Sequence, residues 1–533
     1  MRVLSKLSVC AIVTAVLMMT MTAGASFAQS ASFAQALAQA VAKDADVAKF
    51  YKARGYKSLW LGRSRAERKR KAALIDAFKA AGAHGLPISR YDPNALKARI
   101  NAARGSAERG KLEGQLTIQF LQYARDIQTG VLTPSSVDSE IAREIPYRGR
   151  LGTLVAFSKS SPSGFMKALP PKSAQYARLL KEKLRLEREL GRGGWGTKVP
   201  AKSLKPGMSG DAVAILRNRL VAMGFMNAQD AATYVDAMVN AVKQFQLAHG
   251  LAADGVAGSG TLREVNKSIE DRLASIVVAM ERERWTNRPL GARHVWVNLT
   301  DFSAQIIDNG EVTFKTRSVV GADEEDQRSP EFSDVMEFMV INPSWYVPRS
   351  ITVKEYLPLL QADSNALSHL EMRNNEGEAI SREGVDFLQY DQETFPYSLR
   401  QPPSPGNALG LVKFMFPNAY NIYLHDTPAK ELFGRDVRAF SHGCIRLNDP
   451  FDFAYVLLAK QTDDPEEFFK ALLDSGEESR VNLKQPVPVH IVYRTAIVSP
   501  GGRLNFRRDL YGRDAKIWQA LQKEGVALRA VRG

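Results

Sequence analysis

Apolar residues recur every three or four positions as far as Trp285 and every second position from His294, so the chain divides into a helical part and a strand part. Its 533 residues exceed what one hydrophobic core serves, and two to four domains are expected. The fold class that follows is α+β multidomain. Helical spacing runs through Ala31 to Phe50, Glu67 to Ala81, Leu112 to Ile127 and Ala174 to Leu190, which predicts a helical scaffold domain over 29–190. The basic run Arg63, Arg65, Arg68, Lys69, Arg70 and Lys71 reads there as a solvated helix face. A glycine- and proline-rich linker follows from Gly191 to Pro206. A compact module at 203–267 carries three short helices. Val213, Leu216 and Leu220 share one face of the first, and Val239, Val242 and Phe245 one face of the second. The mainly-β part is expected over 293–515, with Asp308-Asn309-Gly310 as a hairpin turn. Within it the alternation lapses from Val347 to Leu409. Tyr356 to Leu360 and Ala366 to Met372 read as short helical pieces there, and the segment is expected to be an inserted lid.

The first 28 residues have the order of a secretory leader: Arg2 and Lys6, an apolar run from Leu7 to about Thr22, then small residues ending at Ala28. Export to the periplasm with cleavage after Ala28 is expected. The apolar run also approaches spanning length, so contact with the inner membrane arises only if the leader stays uncleaved. Of the two cysteines, Cys10 leaves with the leader, and Cys444 becomes the single thiol of the mature chain. A lone thiol in an oxidising compartment is a reactive-group candidate beside the plainer reading of a buried, inert cysteine. Lys and Arg exceed Asp and Glu by 15, which suits nucleic acid, anionic lipid or a carboxylate-rich wall polymer, or is only a solvated surface.

The chemistry concentrates in Ile422-Tyr423-Leu424-His425-Asp426-Thr427-Pro428 and Ala439-Phe440-Ser441-His442-Gly443-Cys444-Ile445-Arg446-Leu447. A thiol attacks only as thiolate, so it needs a base or a positive neighbourhood. His425 ends an apolar strand, and His442 and Arg446 each lie two residues from Cys444. Gly443 has no side chain to obstruct a substrate, and the backbone N–H groups of Gly443 and Cys444 are candidate oxyanion donors. The remaining histidines show no metal spacing, and neither metal nor cofactor is expected. Serine-acylase motifs such as S-x-x-K are absent from the sequence.

The string from His425, through 15 residues, to Ser441-His442-Gly443-Cys444 resembles the active site of the YkuD-type L,D-transpeptidases. Asn342 to Pro348, Asn407-Ala408-Leu409-Gly410, Arg446 and the inserted lid resemble the large, multi-domain, periplasmic branch of that family. The module at 203–267 resembles the three-helix peptidoglycan-binding domain through Gly207, Gly210, Tyr234, Gln246, Gly250, Asp254, Gly255 and Thr261, among others. The resemblance implies a β-sandwich catalytic domain acting on peptidoglycan tetrapeptide stems, not on nucleic acid. It implies Cys444 as nucleophile and His425 as base, with Ser441 orienting His425. Gly443, Cys444 and His442 would form the oxyanion pocket. Tyr423, Arg446, Asn407 and Trp345 would contact substrate, and the product would be a 3→3 cross-link. The same acyl-enzyme, passed to water or to a protein amine, would instead trim stems or attach or release outer-membrane protein. A non-catalytic wall-binding scaffold is the reading from another class.

Overall fold

The change of period falls where the helix Ile269–Trp285 hands over to the first strand, Arg293–Asn298. The structure, a computed structural model, describes residues 30–228, 230 and 232–531. The leader expected at 1–28 lies outside the described residues. Within them, no helix is long and apolar enough to cross a membrane.

Polar caps start the helices of the N-terminal part. Ser64 accepts from the Glu67 N–H ahead of Arg65–Ala81, and the Glu67 carboxylate accepts from the Ser64 N–H in return. The long helix Ser106–Thr129 supplies Leu116, Phe120 and Ile127 to a core completed by Trp60 and Phe157, all fully buried. Gly110 lets the helical segment around Phe33 and Leu37 close on it, since a Cβ there would meet the Phe33 carbonyl at 2.3 Å. This core does not stop at the scaffold. Val277, Val278 and Trp285 join it from Ile269–Trp285, and Ile517 and Leu521 from the helix Arg513–Lys523.

Helix Ile269–Trp285 is therefore a spine shared by the helical and strand parts, and its charged residues from Arg272 onward are buried as well. Arg282 donates to Glu331 at 2.6 Å and to Asp514 at 2.9 Å, and Arg494 pairs with Glu283. A buried cation is tolerated only with such partners, because an unpaired charge at a dry seam costs several kcal/mol.

The strands, in chain order, are β1 Arg293–Asn298, β2 Ser303–Asp308, β3 Glu311–Gly321, β4 Ser333–Ile341, β5 Trp345–Tyr346, β6 Glu371–Arg373, β7 Ala379–Ile380 and β8 Ser398–Gln401. They continue as β9 Val412–Met415, β10 Leu424–His425, β11 Ala439–Ser441, β12 Ile445–Leu447, β13 Ser479–Val492, β14 Ala496–Val498 and β15 Leu504–Phe506. Nine of them form one sheet in the order β11-β3-β12-β10-β9-β4-β13-β1-β2, and β2 also pairs with β3, so the sheet closes on itself. Alternation sends Val295, Val297, Ile306, Phe414, Leu424, Ile445, Val489 and Ile491 into the enclosed core. The expected turn joins β2 to β3, with Asn309 and Gly310 both at positive φ as a two-residue hairpin requires.

The segment after β5 is not devoid of strands. It builds a four-stranded sheet, β5-β8-β6-β7, over a core of Trp345, Val353, Leu357, Leu370, Met372, Phe387, Phe395 and Leu399. Helical turns run from Arg349 to Ala362, whereas Ala366 to Met372, expected as helix, is a turn leading into β6. Strands of two to four residues give the alternation too little length to register in sequence.

The three-helix module packs Val213, Leu216, Leu220, Tyr234, Val242, Phe245, Leu262 and Val265 together, and Gln246 ties Asp254 to Thr261. It docks on the strand part. The His249 ring lies 5.8 Å from Phe506, and Arg507 donates to the Ala248 carbonyl at 3.0 Å.

Candidate active site

Strand alternation decides which side chains leave the core. Leu424 and Ile445 point inward, so Tyr423, His425, Cys444 and Arg446 point outward. Register then aligns them. Leu424 pairs with Ile445 and His425 with Arg446 across the parallel β10–β12 pair, while His425 pairs with Lys413 across β9. His425 thus stands in a row between two cationic side chains, Lys413 and Arg446.

Electrostatics follow from that row. Burial pushes the His425 imidazole down to about 3, and the Arg446 charge and, more weakly, Lys413 push the same way against the Asp426 and Leu409 carbonyls. The ring is uncharged at neutral pH. Its Nδ1 faces the Asp426 carbonyl at 2.5 Å, which places the proton there and leaves Nε2 as the acceptor. Asp426 earns its own place: its carboxylate takes the Leu411 N–H at 2.9 Å and pairs with Lys430 at 2.6 Å.

Cys444 is a free, half-buried thiol. Burial raises it to about 11, against the lowering influence of Tyr423 and the Arg446 charge. Its Sγ lies 3.5 Å from the Asn421 carbonyl, and the phenol of Tyr423 interacts with it. No hydrogen bond joins Cys444 to His425 among the described residues, so the resting thiol and imidazole, each neutral, are not paired with one another. At pH 7 such a thiol is thiolate in roughly one molecule in ten thousand. Iodoacetamide labelling of the resting protein should therefore accelerate about tenfold per pH unit from pH 7 to 10. Arg446→Gln, which removes a lowering charge, should slow labelling at pH 8. A plateau near pH 8 would show a thiol activated before substrate arrives.

Gly443 has φ +105°, a conformation that favours glycine, and a Cβ there would meet Ile422 Cδ1 at 3.1 Å. The turn is held from behind: Ser329 Oγ donates to the Gly443 carbonyl at 2.6 Å and accepts from the Gly321 N–H at 2.9 Å.

Several expected roles change in the folded chain. Ser441 does not orient His425. Its Oγ donates to the Cys444 carbonyl at 2.5 Å and accepts from the Gly443 N–H at 3.2 Å, so it braces the turn. That bond also withdraws the Gly443 N–H from an oxyanion pocket; the Cys444 N–H makes no hydrogen bond among the described residues. Asn407 is fully buried with both ends of its amide engaged, donating to Gln401 and Pro402 and accepting from Leu409, so it holds the base of the insert and cannot reach a substrate. Trp345 belongs to the insert's core, edge-on to Tyr356. His442 is exposed, and its Nε2 lies 2.7 Å from Glu355 Oε1 of the insert. Arg446 makes no side-chain hydrogen bond among the described residues, and its Nε is buried without a partner. A half-buried fork of donors in that state is suited to a carboxylate.

Sequence reading missed Lys413 and Glu355. A lysine at a strand position flanked by Val412 and Phe414 was the available signal for the first. For the second there was none. Together the site offers a thiol, a neutral ring able to take its proton, a free backbone N–H and an unpartnered guanidinium. These are the parts acyl transfer uses.

Residues 292–489 match the family described as "L,D-transpeptidase catalytic domain", YkuD. Residues 45–184 match one described as "Scaffold domain", and 209–264 one described as "Putative peptidoglycan binding domain". A "Putative L,D-transpeptidase" of Haemophilus influenzae is 30% identical over 242 residues, 45% of this chain and 48% of that protein. The chain thus spans about half the length of the curated relative it matches. Among solved structures it is similar to an L,D-transpeptidase from Xylanimonas cellulosilytica, at 16% identity over 56% of this chain and 98% of that one, with a TM-score of 0.16. It is also similar to an L,D-transpeptidase from Stackebrandtia nassauensis, at 13% identity over 56% and 97%, with a TM-score of 0.21.

Proposed function

We propose that this chain, which carries an L,D-transpeptidase catalytic domain and a peptidoglycan-binding domain, is a periplasmic peptidoglycan L,D-transpeptidase that works through a thioester on Cys444 and forms 3→3 cross-links. The observation that carries this reading is the outward row Lys413–His425–Arg446 beside Cys444, with the Arg446 side chain making no hydrogen bond among the described residues.

A tetrapeptide stem is rich in carboxylates, and one of them meets the Arg446 fork. Its charge offsets the cation that disfavours a protonated His425, so the ring becomes a better base once the donor is bound. Cys444 Sγ gives its proton to His425 Nε2 and attacks the carbonyl carbon between diaminopimelate and D-Ala. The C–N bond breaks, the D-Ala amine leaves with the proton from His425, and the thioester remains. The Cys444 N–H, without a partner among the described residues, is the backbone donor for the developing oxyanion. The side-chain amine of a second diaminopimelate then attacks the thioester carbon. It loses its proton to His425, and the departing Cys444 thiolate takes that proton back.

The test is muropeptide analysis after incubating the purified protein with tetrapeptide-rich sacculi. Dimers joined 3→3 and free D-Ala are expected. Tripeptides alone would make the protein an L,D-carboxypeptidase, and unchanged muropeptides would end the reading. The module at 203–267 is expected to hold the protein on the wall. Deleting it should lower the fraction that pellets with sacculi at least severalfold and leave the products made from soluble stems unchanged. Equal pelleting would mean that the module serves only to dock on the catalytic domain.

A further inference from the structure

The insert reaches the Cys444 turn through two adjacent residues. Lys354 Nζ lies 2.5 Å from Asp326 Oδ2, and Glu355 Oε1 lies 2.7 Å from His442 Nε2. Both belong to a single π-helical turn, Thr352–Tyr356, set between Arg349–Ile351 and Leu357–Ala362. A π turn adds a residue to the helical repeat, and such turns recur at functional sites. Here Thr352 and Val353 face the insert's core, while Lys354 and Glu355 are exposed and face the sheet domain.

The two partners sit on the two loops that shape the thiol's surroundings. His442 is part of the β11–β12 loop itself. Asp326 is on the β3–β4 loop, where the carbonyls of Gln327 and Arg328 lie 3.7 and 3.6 Å from the position a Gly443 Cβ would take. Ser329 of the same loop bonds Gly443. The turn is thus rooted in the insert's core and fastened to both loops.

We infer that Glu355 is a positioning residue that latches the insert over Cys444 by holding the His442 ring; this rests on the transpeptidase reading of the site. Glu355 accepts a hydrogen bond from His442 Nε2–H, which holds the ring in one orientation. Opening the insert breaks this bond and the Lys354–Asp326 pair together. The closed insert orders His442 beside the thiol and keeps water from the acyl group until an amine enters.

Glu355→Ala and Glu355→Gln separate this role from a structural one, since Gln still offers an oxygen to Nε2–H. The contact is solvent-exposed, so its loss shifts the closed–open balance by no more than about fivefold and leaves the unfolding temperature nearly unchanged. With Glu355→Ala, iodoacetamide labelling of Cys444 should rise about three- to fivefold. KM for a tetrapeptide donor should rise by a similar factor with kcat less affected, and products should shift from dimers to tripeptides. Glu355→Gln should restore all three to within about twofold of the parent. Equal effects of both substitutions, or labelling and product ratio both unmoved by Glu355→Ala, would overturn the latch. Labelling, and hydrogen exchange over Arg349–Ala362, need no substrate. A parent protein that makes no acyl product would therefore count against the transpeptidase reading while these two measurements still decide the latch.

Discussion

Cys444→Ala is expected to abolish acyl-enzyme formation, with a fall of more than about a thousandfold in cross-linking, while unfolding within about 2 °C of the parent. The chain has two cysteines, Cys10 and Cys444, and of these only Cys444 lies among the described residues. Nothing else on the outward face can replace the thiol. Tyr423 is held well above its ordinary value by burial and by Cys444 itself, and His425 is needed as base. The fold does not depend on the sulfur, because the turn is held by Ser441, Ser329 and the backbone of Gly443. Intact-protein mass spectrometry after mixing with a tetrapeptide donor is the measurement. An adduct of donor-minus-D-Ala mass is expected on the parent and none on the variant. An adduct persisting on Cys444→Ala would place the nucleophile elsewhere.

His425→Ala should lower the acylation rate by about a hundred- to ten-thousandfold, the range a positioned general base supplies. His442→Ala should lower it far less, because the His442 ring is exposed and bonded outward to Glu355. Resting geometry adds a second signature. His425 makes no hydrogen bond to the thiol, so His425→Ala should hardly change iodoacetamide labelling even as acylation collapses. Labelling would fall with acylation if the pair were already assembled. Acylation lost far more in His442→Ala than in His425→Ala would reverse the assignment of the base.

Much of this site was legible in the chain because strand alternation is a local rule. Once Leu424 and Ile445 are inward, Tyr423, His425, Cys444 and Arg446 must be outward, whatever else the protein does. The helical faces of the three-helix module were readable for the same reason, from spacings of three and four. Ser441 and Asn407 were misjudged because a polar side chain beside a motif can bond substrate, a catalytic ring or the backbone, and spacing does not rank these. In the fold both serve the backbone, Ser441 in the Cys444 turn and Asn407 at the base of the insert. Trp345, expected to contact substrate, packs in the insert's core.

The sequence by itself determined where helices give way to strands, which faces are apolar, and which single thiol stands in a loop between cationic candidates. Tertiary structure alone decided what those groups meet. Burial of His425, with the register of three strands setting Lys413 and Arg446 on either side of it, keeps the ring uncharged. The docking of the insert brings Glu355 to His442 across 87 residues of chain. Closure of the scaffold on the sheet buries Arg282 between Glu331 and Asp514 on a helix whose charges alone suggest an exposed end. Periodicity acts between neighbours in the chain, while pairing, register and desolvation act between neighbours in space, and no local pattern encodes those.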